Sequence, residues 1–250
     1  MLELHNVTKS FPQNAQATLK DINLKVKEGE YCIILGSNGS GKSTLLKVIS
    51  GEYPTDSGDI TLNGKNVTKH PLHIRAKEIG SVAQDINKGT IDEMTLLENI
   101  SLSKMRGYSA KYKFFTNQTD EIVKDIKLLG LDLEKHVNTR ISSLSGGQRQ
   151  SIASLMAMSP KPKLLLLDEH TSALDPRSKE TIMKFTDNYI KNYNITTIMI
   201  THSIIEAINY GNRLIVMHHG VIAYDVSGSE KSKLNEQTIL DILHKIGGPL

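Results

Sequence analysis

The hydrophobic rhythm of the chain changes twice. Over roughly the first 85 residues it comes in short strand-like pieces: residues 2–8, then Ile22-Asn23-Leu24-Lys25-Val26, which alternates with period two as a strand with one face on a core does. Residues 31–35, Tyr-Cys-Ile-Ile-Leu, are apolar throughout and predict a strand buried on both faces. The spacing then turns helical, with Leu45, Leu46 and Ile49 on one face of a helix predicted over residues 42–50. Residues 59–62 and the Asn63-Gly64 pair predict a hairpin.

From about residue 85 to residue 147 helices dominate. Ile122, Ile126 and Leu129 form a stripe on a helix predicted over residues 117–129, and Thr95-Leu96-Leu97-Glu98 fits a capping box that starts another helix. Beyond residue 163 strand and helix alternate: strand 164–167, helix 177–190, strand 195–200, helix 204–209, strand 214–217. That alternation argues for a parallel sheet with helices on its faces. Residues 228–250 predict one further amphipathic helix, too little for an appended regulatory domain.

Composition narrows the function. Thirty basic against twenty-seven acidic residues leave a net charge of +3 without any basic run interleaved with aromatics, so nucleic acid is not an expected partner. Cys32, the single cysteine, cannot close an intrachain disulfide and sits in a buried apolar run, which fits a reducing compartment. No stretch approaches the ~18 to 20 apolar residues that cross a bilayer. The start Met-Leu-Glu-Leu-His lacks the order of a secretion signal. The chain is expected in the cytoplasm, held at a membrane only by a partner. The pairs His218-His219 and His70/His73 lack further ligands at zinc spacing and read as surface.

Chemistry enters with residues 36–44, Gly36-Ser37-Asn38-Gly39-Ser40-Gly41-Lys42-Ser43-Thr44, which fit G-x-x-x-x-G-K-[ST]. Glycine clears Cβ atoms so that backbone N–H groups can wrap a polyphosphate. Lys42 adds a charge at the β/γ-phosphates, and the Ser43 hydroxyl is a ligand for Mg²⁺. A second stretch, Leu144-Ser145-Gly146-Gly147-Gln148, opens a helix over a second phosphate-holding site.

In this order, followed by Leu164-Leu165-Leu166-Leu167-Asp168-Glu169, Ser172-Ala173-Leu174-Asp175 and Ile198-Met199-Ile200-Thr201-His202, with Gln84 after Ser81-Val82-Ala83, the chain resembles the ATP-binding subunit of an ABC (ATP-binding cassette) transporter over nearly its whole length. Asp-Glu-His-Thr at residues 168–171 and Tyr210-Gly211-Asn212-Arg213-Leu214 are similar to ATPases of bacterial uptake systems for aromatic amino acids such as tryptophan or tyrosine.

The resemblance implies an α/β P-loop NTPase core with a mainly parallel sheet, an antiparallel β subdomain and an inserted helical subdomain. Residues 1–250 would form one ABC ATPase domain, residues 1–84 and 148–250 the core and residues 85–147 the insert. It implies ATP and Mg²⁺ as cofactors, Glu169 as general base, Asp168 on Mg²⁺ with Ser43, and Gln84 on Mg²⁺ or the attacking water. It further implies His202 as the switch histidine at the γ-phosphate, Phe11 stacked on adenine, and Asp175 in the D-loop. Ser145, Gly146, Gly147 and Gln148 would serve the ATP of a second copy in a head-to-tail homodimer. Integral membrane permease subunits and an extracytoplasmic solute-binding protein would complete an importer, the permease docking at residues 84–98 near Met94 and Leu96. Export, lipoprotein release and soluble assembly of the iron–sulfur machinery type are the alternatives. Where relatives most often have proline, His170 follows Glu169; it reads either as a tolerated loop substitution or as a titratable ring beside the base.

Overall fold

Alternating and continuous apolar runs become strands where their patterns predict them. The computed structural model describes residues 1–12, 16–83, 89–105, 119–172 and 174–247. In chain order these form β1 (Leu2–Lys9), β2 (Leu19–Val26), β3 (Tyr31–Leu35), α1 (Lys42–Ser50), β4 (Ser57–Leu62), β5 (Lys65–Asn66), α2 (Leu72–Arg75), β6 (Ile79–Val82), α3 (Leu96–Lys104), α4 (Thr119–Lys127), α5 (Gly146–Met158), β7 (Leu164–Asp168), α6 (Pro176–Tyr193), β8 (Thr196–Ile200), α7 (Ile204–Asn209), β9 (Arg213–His218), β10 (Val221–Ser227), α8 (Gly228–Lys231) and α9 (Glu236–Ile246). They fall into two compact units, residues 1–75 with 194–250 and residues 76–193.

In the first unit β2, β1, β4 and β5 form an antiparallel sheet in that order. Asn63 and Gly64 both take positive φ, +49° and +74°, as a two-residue turn between β4 and β5 requires. A second set of strands runs β10-β9-β3-β8, with β9, β3 and β8 parallel and β10 antiparallel on β9. All five residues of β3 are buried, as its unbroken apolar run predicts. Register pairs Ile34 with Ile200 and with Ile215, so the loops after β3 and β8 leave from the same edge.

A buried arginine closes the far end of α1. Arg75 is 3% exposed; its Nη1 donates to the carbonyls of Val48 and Ile49, both at 2.9 Å, its Nη2 to Thr68 and its Nε to His70. The last carbonyls of a helix have no intrahelical partner, and a guanidinium meets that need while favouring the negative end of the helix dipole.

In the second unit β6 and β7 pair in parallel, Val82 opposite Leu167. The Thr95 capping box forms: Thr95 N–H donates to Glu98 Oε2 at 2.7 Å and Glu98 N–H to Thr95 Oγ1 at 3.2 Å. Ile122 and Ile126 of α4 and Leu129 beyond it are buried, as their stripe predicts. Residues 117–118 of that predicted helix lie outside the described residues. Lys104 Nζ reaches Asp125 at 2.9 Å and Glu121 at 3.2 Å, while Ser159 Oγ donates to Asp125, so one carboxylate ties the ends of α3 and α5 to α4. Every residue from Gln150 to Met158 is buried, and α5 runs unbroken across positions 147 and 148.

Three features depart from the pattern-based reading. Leu96 is fully buried and belongs to a core, not to a docking face. The antiparallel strand β10 alternates between exposed and more buried positions, with only Val226 buried, but its sequence carries no matching apolar–polar alternation. A four-residue helix, α8, precedes the amphipathic α9, too short to show a period.

Replacing Arg75 with Met keeps bulk but strands four carbonyls. Urea unfolding of Arg75→Met is expected to show a loss of about 3 kcal/mol, against under about 0.5 kcal/mol for a solvated surface arginine.

Candidate functional site

The site is built on strand ends. After β3 the chain turns through residues 36–41 into α1 with Gly36 at φ +150° and Gly41 at φ +100°. A Cβ on Gly36 would stand 2.3 Å from the Met217 carbonyl oxygen, and one on Gly41 2.7 Å from that of Thr18, so neither position accepts another residue without moving backbone. Gly41 is the N-cap of α1, and no side chain caps this helix start. Its first N–H groups therefore point outward as a group, with the positive end of the helix dipole behind them. Lys42 is buried, its Nζ 2.7 Å from the Gly36 carbonyl oxygen and 3.0 Å from that of Ser37. Asn38 and Gly39 are exposed, Ser40 is buried, and Ser37, Ser43 and Thr44 are intermediate.

His202 lies in the loop between β8 and α7, at the same strand edge. Its neighbours hold it: Thr201 Oγ1 donates to Glu206 Oε2 and accepts from Ser203 N–H at 3.0 Å, while Ser203 Oγ accepts Glu206 N–H at 3.3 Å. Thr201 N–H continues the pairing to the Ile34 carbonyl, so the two loops share one frame. Phe11 follows β1 and is half-buried, its ring edge-to-face with Tyr53 at 5.3 Å. Tyr53 carried no sequence signal, being a single aromatic in a turn. Tyr31, by contrast, is a core strand residue whose hydroxyl donates to Met199 Sδ.

In the second unit Leu164, Leu165, Leu166 and Leu167 are at most 1% exposed and deliver Asp168 and Glu169 at intermediate exposure. Glu169 has φ +47°, the left-handed region that a residue with a side chain seldom takes. His170 is 2% exposed, and burial, with a smaller push from the Lys179 charge, drives its imidazole down to about 4. The ring is therefore neutral at neutral pH. Gln84, and Ala173 of the segment before Asp175, lie outside the described residues.

Ser145 caps α5 with Gln148 in a reciprocal box: Gln148 N–H donates to Ser145 Oγ at 3.3 Å and Ser145 N–H to Gln148 Oε1 at 3.0 Å. The cap uses one lone pair of the hydroxyl, so its proton remains for an acceptor outside. Ser145 and Gly146 are exposed, and a Cβ on Gly147 would sit 3.2 Å from Ser178 Oγ. Arg149 braces the loop before the helix through the carbonyls of Leu144 and Ser142. Asp175 Oδ1 accepts the N–H groups of Arg177 and Ser178, capping α6 ahead of Pro176, and its pKa is lowered by hydrogen bonds from Ser178.

Comparison with known proteins gives a consistent picture. Residues 19–172 match the ABC transporter family. The chain is 38% identical to a tyrosine transport ATP-binding protein of Clostridioides difficile (strain R20291) over 96% of this chain and 98% of that protein. It is 30% identical to a phosphonates import ATP-binding protein of Lactobacillus delbrueckii subsp. bulgaricus, over 99% and 96%. Its fold matches a dimeric post-hydrolysis state of an ATP-binding cassette bound to ADP and Pi, with TM-score 0.80 and 30% identity over 91% of this chain and 98% of that one.

The buried neutral His170 makes stability depend on pH. Its folded pKa of about 4 lies below the unfolded 6.5, so the unfolded chain binds the extra proton, and stability present above pH 6.5 is lost as pH falls toward 4. Urea unfolding at pH 7 and pH 5 should differ by about 2 kcal/mol more in the native chain than in His170→Leu.

Proposed function

The chain belongs to the ABC transporter family, and we propose that it energises import of an aromatic amino acid, tyrosine being the first candidate, through separate membrane permease subunits. It is an ATP-binding subunit whose relatives hydrolyse ATP to drive transport. The observation that carries the reading is the start of α1, where a glycine loop and an uncapped helix N-terminus converge with the Lys42 ammonium. Such a start suits a polyphosphate. Import is supported by relatives named for tyrosine transport and for phosphonate and spermidine/putrescine import.

In this reading the amides of residues 36–44 and Lys42 hold the phosphates, and Phe11 stacks on the base. His202 contacts the γ-phosphate, and Glu169 takes the proton of the attacking water. Catalysis then rests on positioning and charge neutralisation. Ser43 and Asp168 offer one hydroxyl and one carboxylate, and the described residues contain no cluster of three or more metal-ligating side chains. That donor set fits Mg²⁺, which keeps waters and phosphate oxygens instead of an all-protein cage. When bound, Mg²⁺ would be held by Ser43, Gln84 and Asp168 and would neutralise phosphate charge.

Two copies are needed to complete the site. The exposed Ser145 and Gly146 and the outward proton of the Ser145 hydroxyl suit a phosphate on another molecule, with Gly147, Gln148 and Asp175 beside it, and a two-fold head-to-tail pair satisfies both sites at once. A cassette structure that the chain matches is dimeric. Functionally, residues 85–147 are the inserted helical subdomain of a core made by residues 1–84 and 148–250. None of the described helices is long and apolar enough to cross a membrane, so attachment to the inner face of the cell membrane would come through the permease. A groove of about 710 Å³ in the second unit, with Ala83, Ile91, Leu102 and Ala153 in its walls, is the docking place we assign to it. An extracytoplasmic solute-binding protein would deliver the solute, and tyrosine-dependent stimulation of ATPase activity in the reconstituted complex would distinguish import from export or release.

Three variants test the chemistry. Lys42→Ala should lose ATP binding in a fluorescence-nucleotide titration while melting within a few degrees of the native chain; unchanged affinity would defeat the phosphate-loop assignment. Glu169→Gln should lose ~10² to 10⁴-fold in turnover and, by light scattering, form a dimer with ATP that ADP does not support. Adding Ser145→Arg should keep that mutant monomeric.

A further inference from the structure

Glu169 sits in a conformation that its surroundings must maintain. A left-handed residue with a Cβ costs ~1 to 2 kcal/mol, so φ +47° persists only if the chain is held on both sides. Before Glu169 the hold is β7, paired to β6 as far as Leu167. After it the chain makes a turn in which Ser172 N–H returns to the Glu169 carbonyl, and the His170 ring is buried.

The remaining hold comes from α5. Gln150, 1% exposed, donates from Nε2 to the His170 carbonyl oxygen at 2.6 Å. Among the described residues Gln150 Oε1 and His170 Nε2 have no hydrogen-bond partner, so this one bond carries the polar link between the two side chains' neighbourhoods. A buried amide with one end unpaired is costly, so the bond from its other end to the His170 carbonyl is the contact that offsets that cost. Gln150 also stands in the wall of the 710 Å³ groove, next to Ala153 one helical turn on.

We propose that Gln150 is a positioning residue that holds the turn at Glu169 and joins it mechanically to the groove wall. With the amide on the His170 carbonyl, the peptide after His170 is held, the turn that returns Ser172 N–H to the Glu169 carbonyl cannot swing, and the carboxylate keeps its aim. A change at the groove wall that displaces Gln150 releases the turn. This inference rests on the reading of Glu169 as general base. It adds a residue of α5, five positions after Ser145, to the parts that set hydrolysis.

The test is steady-state ATPase kinetics on the purified chain. Gln150→Met keeps length without a donor, and Gln150→Glu keeps length and an acceptor; either serves if the other folds poorly. Each should lower kcat about tenfold, the ~1.4 kcal/mol of one hydrogen bond, with KM for ATP unchanged because the phosphate loop is untouched. Ala153→Leu, pressing on Gln150 from the groove, should lower kcat by a smaller factor and add nothing in the Gln150→Met background. An unchanged kcat in Gln150→Met beside an inactive Glu169→Gln would overturn the inference alone. So would a rise in KM and a drop in Tm that account for the loss, or additive effects of the two groove-wall changes. Near-normal turnover in Glu169→Gln would overturn the reading of Glu169, and the inference with it.

Discussion

A strand buried on both faces can carry no unpaired polar side chain along its length, so reactive polar groups have to leave from its ends. In this chain β3, β7 and β8 are such strands, and each releases a loop at its carboxyl end: the phosphate loop, Asp168-Glu169, and Thr201-His202. Within the first unit the register of Ile34 with Ile200 brings two of these loops to one edge, and within the second Val82 opposite Leu167 aligns the end of β6 with the end of β7. The dry strands set where reactive groups appear, and the loops set which groups they are.

Buried polar braces fix the far ends of the helices that follow two of these loops and the turn that follows the third, each through hydrogen bonds to backbone. Arg75 covers the end of α1, Lys231 donates to the carbonyls of Ile208 and Tyr210 at the end of α7, and Gln150 takes the carbonyl after Glu169. All three are at most 5% exposed. In a low-dielectric setting such bonds are strong, and unpaired carbonyls there would be costly, which makes each brace specific about geometry. The helix starts divide too: Thr95, Ser145, Asn235 and Ser203 cap theirs with side chains, while α1 starts at Gly41 with no side-chain cap.

His170 is buried, so its ring is not a proton carrier at neutral pH: burial holds it neutral. Its backbone matters as much as its ring, because a carbonyl held by Gln150 fixes the residue before it. A residue with an ordinary preceding peptide also leaves Glu169 free of the restriction that proline places on its predecessor.

The sequence by itself determined whatever depends on neighbours within a few positions. The Asn63-Gly64 turn, the boxes at Thr95 and Ser145, the glycine loop ending at Lys42 and the all-apolar strands are local demands of backbone and burial, and they appear where their residues stand. The family motifs placed Asp168, Glu169 and His202 on strand ends for the same reason. Tertiary structure alone decided the rest: that Arg75 meets Val48, that Tyr53 meets Phe11, that Gln150 meets His170, and that Leu96 faces inward while β10 joins an edge. Those pairings join residues twenty or more positions apart, or surfaces with no period of their own. Which groups meet at such distances follows from how whole faces are buried against each other, and no local pattern carries that information.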